Sequence, residues 1–252
     1  MDDILVCPDL HGRRELLDHA INSYIKEEIP IIFLGDYLDG YPYDFLEIDN
    51  LEKEVFSVLK YLISFAKENP DDITLLLGDH EGQYVGLSNS LARFDFNNAY
   101  EIYKLLKENE SIFTGAFIYN NALFTHAGVS ENWLETNDLH NNYEFVYNYI
   151  NKHIKFSDSF DIPDYRYCGI SNNCVWNIGR SRGGNSNYGG PFWADVKEMI
   201  VYGNAAFNGQ INQIFAHSQL KDTGTFIHKD NWWMCDSRAV FIWNGKELKL
   251  YK

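Results

Sequence analysis

The chain has 252 residues, with 36 Asp and Glu against 21 Lys and Arg, which gives a formal net charge of −15. This length fits a single α/β domain with insertions. The acidic balance argues against a protein that binds by neutralising many backbone phosphates, so we do not expect nucleic acid as a partner. Most of the acidic residues are expected to serve solubility, and the stretch 44–49 is predicted to be a solvated loop.

The sequence shows neither a membrane segment nor an export signal. No run approaches the roughly 20 apolar residues that a membrane span needs. The first residues, Met1-Asp2-Asp3, lead directly into a predicted strand without the basic and apolar regions of a signal peptide. We therefore expect no membrane partner and a cytoplasmic location.

The first 80 residues alternate between short apolar runs and helical patterns. Strands are predicted over 3–7, 30–34 and 73–77. Helices are predicted over 13–28 and 51–68, where apolar residues recur at helical spacing. This alternation predicts parallel strands joined by right-handed crossovers.

Beyond residue 82 the pattern is less regular. Helices are predicted over 97–108 and 142–154. Between them a hairpin is predicted, with strands over 112–119 and 122–125 and a turn at Asn120-Asn121.

The last third of the chain begins with a segment rich in Gly, Asn, Ser and Tyr, at 157–192. We expect a long ordered loop or a small cap over the site there, inserted into a single domain that covers 1–252. The remainder is predicted to be strands that form a second sheet of antiparallel hairpins. These strands are 212–216, 223–228, 231–235, 238–243 and 246–250.

Five segments each place a possible metal ligand just after an apolar run. They are Asp9-Leu10-His11-Gly12, Gly35-Asp36-Tyr37-Leu38-Asp39, Gly78-Asp79-His80-Glu81, Thr125-His126-Ala127-Gly128 and Ala216-His217-Ser218. An α/β sheet builds one site from distant sequence in this way, because side chains at the carboxyl ends of its strands meet. A set of Asp and His suits a dinuclear transition-metal hydrolase better than a Mg²⁺ or Ca²⁺ site.

In their order and spacing these segments resemble the motifs of the calcineurin-like metallophosphoesterases. Within that superfamily they are most similar to the branch of Ser/Thr phosphoprotein phosphatases and bacterial diadenosine tetraphosphatases, as is the segment Gly190-Pro191-Phe192-Trp193-Ala194-Asp195. The resemblance implies an α/β metallophosphoesterase fold. In that fold two packed mixed β-sheets are flanked by helices, an αββα sandwich, with the metal site at the carboxyl ends of strands.

The resemblance implies two divalent metal ions as cofactors. Mn²⁺ is expected, and Fe, Zn²⁺ and Ni²⁺ also accept these ligands. The implied ligands are Asp9, His11, Asp36, Asp79, His126 and His217. Asp9 and His11 lie two residues apart on a predicted extended segment, so both side chains are expected to point to the first metal. Asp36 would bridge the two metals, and the last three residues would complete the second.

The resemblance also implies a catalytic pair, His80 and Asp39. His80 would donate a proton to the departing alkoxide, and Asp39 would orient and charge His80. A metal-bridging hydroxide would attack the phosphorus directly, without a covalent phosphoenzyme. The expected function is hydrolysis of phosphate esters, with a phosphoprotein or a small phosphomonoester as the substrate.

The sequence departs from the family pattern at two positions of the site. Asp79 stands where the family has Asn, and its extra negative charge should weaken the attraction for an anionic phosphate. Gly40 stands where the family has an Arg that grips the phosphate with two parallel hydrogen bonds. Arg180 and Arg182 in the glycine-rich segment are predicted to replace it as substrate-binding residues. Further candidates are Arg13, Arg14 and Arg238.

Two other functions stay open at this point. The first is a nucleotide pyrophosphohydrolase similar to the diadenosine tetraphosphatases. The second is a weakened or non-catalytic protein that binds a phosphorylated ligand, which the Asp79 and Gly40 departures would explain. In each case the partner is a phosphorylated small molecule, a nucleotide or a phosphoprotein.

Overall fold

Two mixed β-sheets pack face to face in the computed structural model, which describes residues 3–44, 51–169, 173–201 and 206–252. The strands are β1 (Ile4–Cys7), β2 (Ile31–Phe33), β3 (Ile73–Leu76), β4 (Phe113–Thr114), β5 (Ala116–Tyr119), β6 (Ala122–Thr125), β7 (Asn212–Phe215), β8 (Ile227–Lys229), β9 (Trp232–Met234), β10 (Phe241–Trp243) and β11 (Leu248–Leu250). The α-helices are α1 (Arg14–Glu27), α2 (Leu51–Glu68), α3 (Asp79–Tyr84), α4 (Ala99–Glu108), α5 (Glu131–Thr136), α6 (Tyr143–Lys152) and α7 (Val196–Val201).

The first sheet has the strand order β11-β10-β1-β2-β3-β4. Strands β1, β2 and β3 run parallel, as the alternating pattern predicts. Strand β4 extends the sheet parallel to β3, and β10 pairs antiparallel with β1. Because β1, β2 and β3 are parallel, the loops that carry Asp9, Asp36 and Asp79 leave the same edge of the sheet.

Alternating side chains of this sheet build two separate cores. In β1, Leu5 and Cys7 pack in the core that includes residues of the helices, whereas Ile4 and Val6 pack in the core between the two sheets. This is the period of two that a strand imposes on its side chains. Both faces of β1 are buried, which explains why its sequence is a continuous apolar run. The predicted helix–sheet–sheet–helix arrangement is confirmed.

The second sheet has the order β5-β6-β7-β9-β8, and β7 runs parallel to both β6 and β9. The predicted sheet of antiparallel hairpins is therefore wrong in two respects. Strands β10 and β11 form a hairpin that completes the first sheet, and the centre of the second sheet is parallel. The predicted strand 223–228 begins only at Ile227, because Gly224 turns the chain with a φ of 74°. The parallel centre brings the carboxyl ends of β6, β7 and β9 to one edge.

The predicted strand 112–119 is wrong as a single element, because Gly115 divides it. Strand β4 belongs to the first sheet and β5 to the second. A side chain at position 115 would press against Ile150 and Ile154, and the Asn151 amide oxygen accepts a hydrogen bond from the Gly115 backbone at 2.8 Å. Helix α6 thus fixes the point at which the chain crosses between the sheets.

Three short helices, α3, α5 and α7, were not predicted, since six residues give too little periodicity to recognise. The segment 157–192 contains short 3-10 turns, and its residues 170–172 lie outside the described part. So do residues 45–49 of the predicted acidic loop. In 157–192, Trp176 stacks on Phe192 with ring centroids 3.8 Å apart, so both rings pack the core instead of facing a ligand. Among the described residues, no helix combines the length and apolarity of a membrane span.

Candidate metal centre

The six predicted metal ligands converge at the edge where the two sheets meet. The first sheet contributes Asp9, His11, Asp36 and Asp79 from the loops after β1, β2 and β3, and the second contributes His126 and His217 from the loops after β6 and β7. Each of the six side chains is at most 4% exposed. The strand ends of the two sheets therefore bring carboxylate and imidazole groups together at one buried site.

One half of the cluster is formed by Asp36, Asp79, His126 and His217, whose ligand atoms lie within 4.8 Å of one another. An Asp79 oxygen is 3.0 Å from Nε2 of His126 and 2.9 Å from Nδ1 of His217. These two imidazole nitrogens are themselves 3.0 Å apart. Four donor atoms that point at one another in this way are suited to a shared cation.

The other half is formed by His11 with Asp36 and His80, whose ligand atoms lie within 4.8 Å of one another, and Asp9 lies beside it. Nε2 of His11 is 3.5 Å from an Asp36 oxygen and 3.9 Å from an Asp9 oxygen. The extended segment predicted for Asp9 and His11 is wrong, because β1 ends at Cys7 and His11 lies in a turn with a φ of 44°. The turn is held by a hydrogen bond from the His11 amide to the Asp36 carbonyl at 2.7 Å. Both side chains still point into the cluster.

These residues fit divalent cations. Apart from the neighbouring Asp236 carboxyl, no described residue offers a hydrogen bond to the oxygens of the buried Asp9 carboxylate, an arrangement that is costly without a positive partner. His11 donates its Nδ1–H to the Leu38 carbonyl at 2.9 Å, and His126 donates its Nδ1–H to the Leu34 carbonyl at 2.8 Å. Each ring thereby keeps a lone pair on Nε2, which is how backbone carbonyls prepare histidines to bind metals.

The charges of the cluster shift one another's protonation. Burial raises the pKa of Asp9 well above its ordinary value, and the carboxylates of Asp236 and Asp36 raise it further. Burial alone would lower the pKa of His126, but Asp36 and Asp9 raise it well above its ordinary value. Burial would raise the pKa of Asp79, whereas His217 and His80 hold it well below its usual range. The carboxylates therefore repel one another, and protons relieve this repulsion in the protein alone, as cations would in their place.

Sequence reasoning missed Asp236, a buried carboxylate beside Asp9. Burial and the charge of Asp36 raise the pKa of Asp236 to about 6, while Arg13 opposes the shift. Like the predicted ligands, Asp236 lies just after a strand. It follows β9, which runs parallel to β7. The strand-end pattern could have found Asp236 if the second sheet had been predicted with a parallel centre.

Several residues of the site have left-handed backbone conformations. They are His11, Asp36, Asp39 and His217, with φ between 44° and 67°. Such a conformation costs a non-glycine residue about 1 kcal/mol, so it persists only where the surroundings enforce it. Gly78 allows one of these approaches, because a Cβ there would collide with the Asp36 side chain and amide.

His80 and Asp39 form the predicted pair. Nδ1 of His80 lies 2.6 Å from an Asp39 oxygen, and Asp39 also accepts hydrogen bonds from Gln83 and Tyr84, each at 2.5 Å. Burial alone would lower the pKa of His80, but the carboxylates of Asp36, Asp79 and Asp39 raise it to about 9. Nε2 of His80 faces away from Asp39 and lies 2.9 Å from a terminal nitrogen of Arg93.

Glu81 holds the loops of the motifs together. Its carboxylate is fully buried and accepts hydrogen bonds from the amides of Asp36 and Tyr37 at 2.9 Å and of Gly78 at 3.0 Å. The loop after β2 is thereby fastened to the start of α3. Glu81 therefore positions the backbone of these loops and is not itself one of the proposed metal ligands.

The predicted substrate arginines differ in their surroundings. Arg182 pairs with Asp195 at 2.8 Å and donates to the Ser218 hydroxyl at 2.7 Å, beside His217. Burial and the charge of Arg182 lower the pKa of His217 to about 3. Arg180 is exposed, and the structure records no hydrogen bond or ion pair from its side chain to a described residue.

The further candidates lie in ion pairs with other residues. Arg13 and Arg238 both contact Asp44, at 2.8 Å and 3.2 Å, and Arg14 contacts Asp18 at 2.8 Å. These arginines line a different pocket, together with His19 and Glu54. Arg13 also reaches the edge of the cluster, where it donates a hydrogen bond to the Asp9 backbone carbonyl at 3.2 Å.

Arg93 is the arginine that sequence reasoning missed. It follows α3 in an irregular stretch, and its Nε donates to the Asp39 carbonyl at 2.8 Å. One terminal nitrogen lies 2.9 Å from Nε2 of His80 and 3.5 Å from the ring nitrogens of His11. Nothing in the local sequence marks this residue, because it belongs to no motif and no regular element.

The family of calcineurin-like phosphoesterases matches residues 3–233 of the chain. A search of curated protein sequences finds no match. The fold and the clustered acidic and imidazole groups define a metal-binding phosphoric ester hydrolase. The chain belongs to the calcineurin-like phosphoesterase family.

Solved structures with the same fold include several phosphatases. A cold-active protein-tyrosine phosphatase of a Shewanella species is 14% identical, with a TM-score of 0.60, over 98% of this chain and 77% of that chain. A protein serine/threonine phosphatase from Saccharomyces cerevisiae is 16% identical, with a TM-score of 0.50, over 95% and 72%. A proposed diadenosine tetraphosphatase is 14% identical, with a TM-score of 0.52, over 99% and 92%. At these identities the likeness concerns the fold.

Proposed function

We propose that this protein hydrolyses phosphate monoesters, of a phosphoprotein or a small molecule, with two divalent metal ions. The observation that carries the proposal is the position of Asp36, which lies in both halves of the cluster. A carboxylate there has an oxygen for each half, as a bridge between two cations requires. Manganese is the metal we propose, and the cytoplasm is the proposed location.

The residues of the site have different proposed roles in the reaction. Asp9, His11, Asp36, Asp79, His126 and His217 would hold the metals. The metals would lower the pKa of a shared water and neutralise the phosphoryl oxygens. His80 would donate a proton to the leaving oxygen through Nε2, and Asp39 orients its ring by accepting the hydrogen bond from Nδ1. Arg182 would contact the substrate from the side of His217.

Diadenosine tetraphosphatase activity is a second candidate. The chain covers 92% of the proposed diadenosine tetraphosphatase, a higher share than of the two phosphatases. A third candidate is a weakened enzyme or a phospho-ligand-binding protein. Asp79 motivates it, since a second carboxylate beside Asp36 reduces the net positive charge available to a phosphate.

The experiment compares three substrates on protein loaded with Mn²⁺, Fe²⁺, Zn²⁺ or Ni²⁺. The substrates are p-nitrophenyl phosphate, bis-p-nitrophenyl phosphate and diadenosine tetraphosphate. Hydrolysis that prefers the monoester supports the proposal, and preferential cleavage of the dinucleotide replaces it with the second candidate. Activity that appears only in Asp79→Asn would establish the weakened enzyme.

Variants of the pair test the assignment of roles. His80→Ala and Asp39→Asn should lower kcat, the former by about 10²- to 10⁴-fold, because a positioned proton donor contributes that much. Metal content, measured by atomic emission, should stay at the level of the unsubstituted protein. His140→Ala is the matched control, since His140 is exposed and packs on Phe145 away from the cluster. A kcat that His80→Ala leaves unchanged would remove His80 from the reaction.

A further inference from the structure

We propose that Arg93 binds the phosphate group of the substrate and replaces the arginine that the family motif would place at position 40. The inference rests on the proposed function and names a contact of the same site. Its starting point is a substitution: Gly40 follows Asp39, so the motif itself supplies no guanidinium. The structure nevertheless brings a guanidinium to this position from a distant part of the chain.

The Arg93 side chain is hydrogen-bonded to the backbone just before Gly40. Its Nε donates a hydrogen bond to the Asp39 carbonyl at 2.8 Å, across 54 residues of sequence. The guanidinium therefore starts from nearly the same point as a side chain at position 40 would. Because the Nε–H is used in this way, the terminal nitrogens extend beyond Asp39 toward the site.

The end of the side chain lies between two groups of the site. One terminal nitrogen is 2.9 Å from Nε2 of His80, the proposed proton donor, and 3.5 Å from Nε2 of His11, a proposed metal ligand. An oxygen of a phosphate held at the cluster would be within reach of this nitrogen. The planar guanidinium offers two parallel N–H groups to such an oxyanion.

The ring of Tyr41 fixes the plane of the guanidinium. The Arg93 guanidinium carbon lies 3.7 Å from the centre of the Tyr41 ring, and the same ring packs edgewise against His11 at 4.9 Å. A stacked guanidinium keeps its N–H groups at its edge, where they can bind an anion. The side chain is exposed, so a ligand can approach that edge from solvent.

In the described part of the chain Arg93 forms no ion pair within 4.0 Å, and the carboxylate on which its charge acts is the buried Asp39. The one recorded oxygen partner of Arg93 is a backbone carbonyl. Arg182 differs in this respect, because Asp195 lies 2.8 Å from its guanidinium. In a chain with a net charge of −15, an arginine without an acidic partner at the mouth of the site is suited to an anionic substrate.

The test measures binding of inorganic phosphate to Mn²⁺-loaded protein by calorimetry, together with the inhibition constant for phosphate and metal content. Arg93→Ala should weaken phosphate binding by about 10- to 100-fold, the loss expected for charge-assisted hydrogen bonds. KM should rise with it, and metal content should not change. Arg93→Lys should recover part of the affinity, because Lys keeps the charge but lacks the planar fork.

Arg166→Ala is the matched control, since Arg166 pairs with the neighbouring Asp164 on the exposed surface and also lies over a tyrosine ring. It removes the same charge and should leave phosphate affinity unchanged. An equal loss in Arg166→Ala and Arg93→Ala would reduce the effect to net charge and overturn the inference, as would an unchanged affinity in Arg93→Ala. If Arg93→Ala also loses metal, the phosphate affinity of Arg93→Lys at full metal content is compared with that of the unsubstituted protein. An unchanged affinity in Arg93→Lys would then overturn the inference. Unsubstituted protein that binds neither metal nor phosphate would overturn the proposed function itself.

Discussion

The inner and outer parts of the site are built in different ways. The inner part is the buried cluster at the strand ends, in which each ligand lies within four residues of a strand. The outer part consists of Arg93, Tyr41 and Arg182, which come from irregular segments and face solvent to different extents. A ligand in the inner part is positioned by sheet hydrogen bonds, whereas a side chain of the outer part depends on individual contacts such as Arg93 to the Asp39 carbonyl.

The difference indicates which properties of the protein a substitution in each part would change. Moving a strand end would disturb several ligands together, since β1, β2 and β3 are neighbours in one sheet. An outer residue can be replaced from another segment without disturbing the sheets, as Gly40 and Arg93 illustrate. We therefore expect substitutions in the inner part to affect metal binding and stability, and substitutions in the outer part to affect affinity for the substrate.

The largest effect is expected for Asp36→Asn. The amide keeps the shape and can still accept the hydrogen bond from the His80 amide, which Asp36 accepts at 3.1 Å. It loses the charge that both halves of the cluster share, so metal content should fall below two per chain and hydrolysis should fall below detection. Asp18→Asn, at an exposed ion pair with Arg14, is the control. Full metal content with full activity in Asp36→Asn would contradict the bridging role.

A second effect concerns the pH dependence of the metal-free protein. With a pKa of about 9 for His80, and a pKa of His126 well above its ordinary value, the folded state keeps protons that an unfolded histidine releases near pH 6.5. The contribution of His80 to stability is complete below pH 6.5 and is lost as the pH rises through 9, and that of His126 is lost as the pH rises through its own raised pKa. Histidines with lowered pKa values, His11 and His217, act in the opposite direction only around and below about pH 6.5.

Between about pH 7.5 and 9, the free energy of unfolding of the metal-free protein should therefore fall, by roughly 1–2 kcal/mol from His80 alone. Urea unfolding at several pH values measures it. His80→Ala should flatten the slope, and saturating Mn²⁺ should do so as well, because cations neutralise the carboxylates that hold the protons. A stability that rises over this interval would show that the inner cluster does not hold these charges.

The smallest effect is expected for Arg182→Ala, which tests the outer part. Because Asp195 already compensates its charge at 2.8 Å, phosphate binding should weaken by less than about tenfold. The double variant Arg182→Ala/Asp195→Ala should bind phosphate better than Arg182→Ala, since it leaves no unpaired carboxylate. A loss greater than that of Arg93→Ala would make Arg182 the main contact and reverse their order.

The sequence predicts the inner part because a strand end is a local signal. The apolar runs before Asp9, Asp36, Asp79, His126 and His217 locate the ligands, and the parallel order of β1, β2 and β3 follows from the alternation of strands and helices. The contact between His80 and Asp39 also forms as the motifs imply. Their roles in metal binding and catalysis stay predictions until the variants are measured.

The errors arise where pairing depends on distant contacts. The crossing at Gly115 depends on Asn151, and the return of β10 to β1 joins opposite ends of the chain. Neither interaction leaves a periodic pattern in the local sequence. The role of Arg93 could not be predicted for the same reason, because its position is set by the Asp39 carbonyl and the Tyr41 ring. Asp236 was missed only because the parallel pairing of β9 was missed.

The hydrogen bonds of Glu81 bear on how fast and how tightly a metal can be captured. The Glu81 carboxylate fixes the amides of Asp36, Tyr37 and Gly78 without help from any ion. The backbone entropy of these loops is then lost when the chain folds, before an ion arrives. An incoming ion meets ligands that are already in position, so its association requires little rearrangement, and its binding free energy is not reduced by ordering the loops.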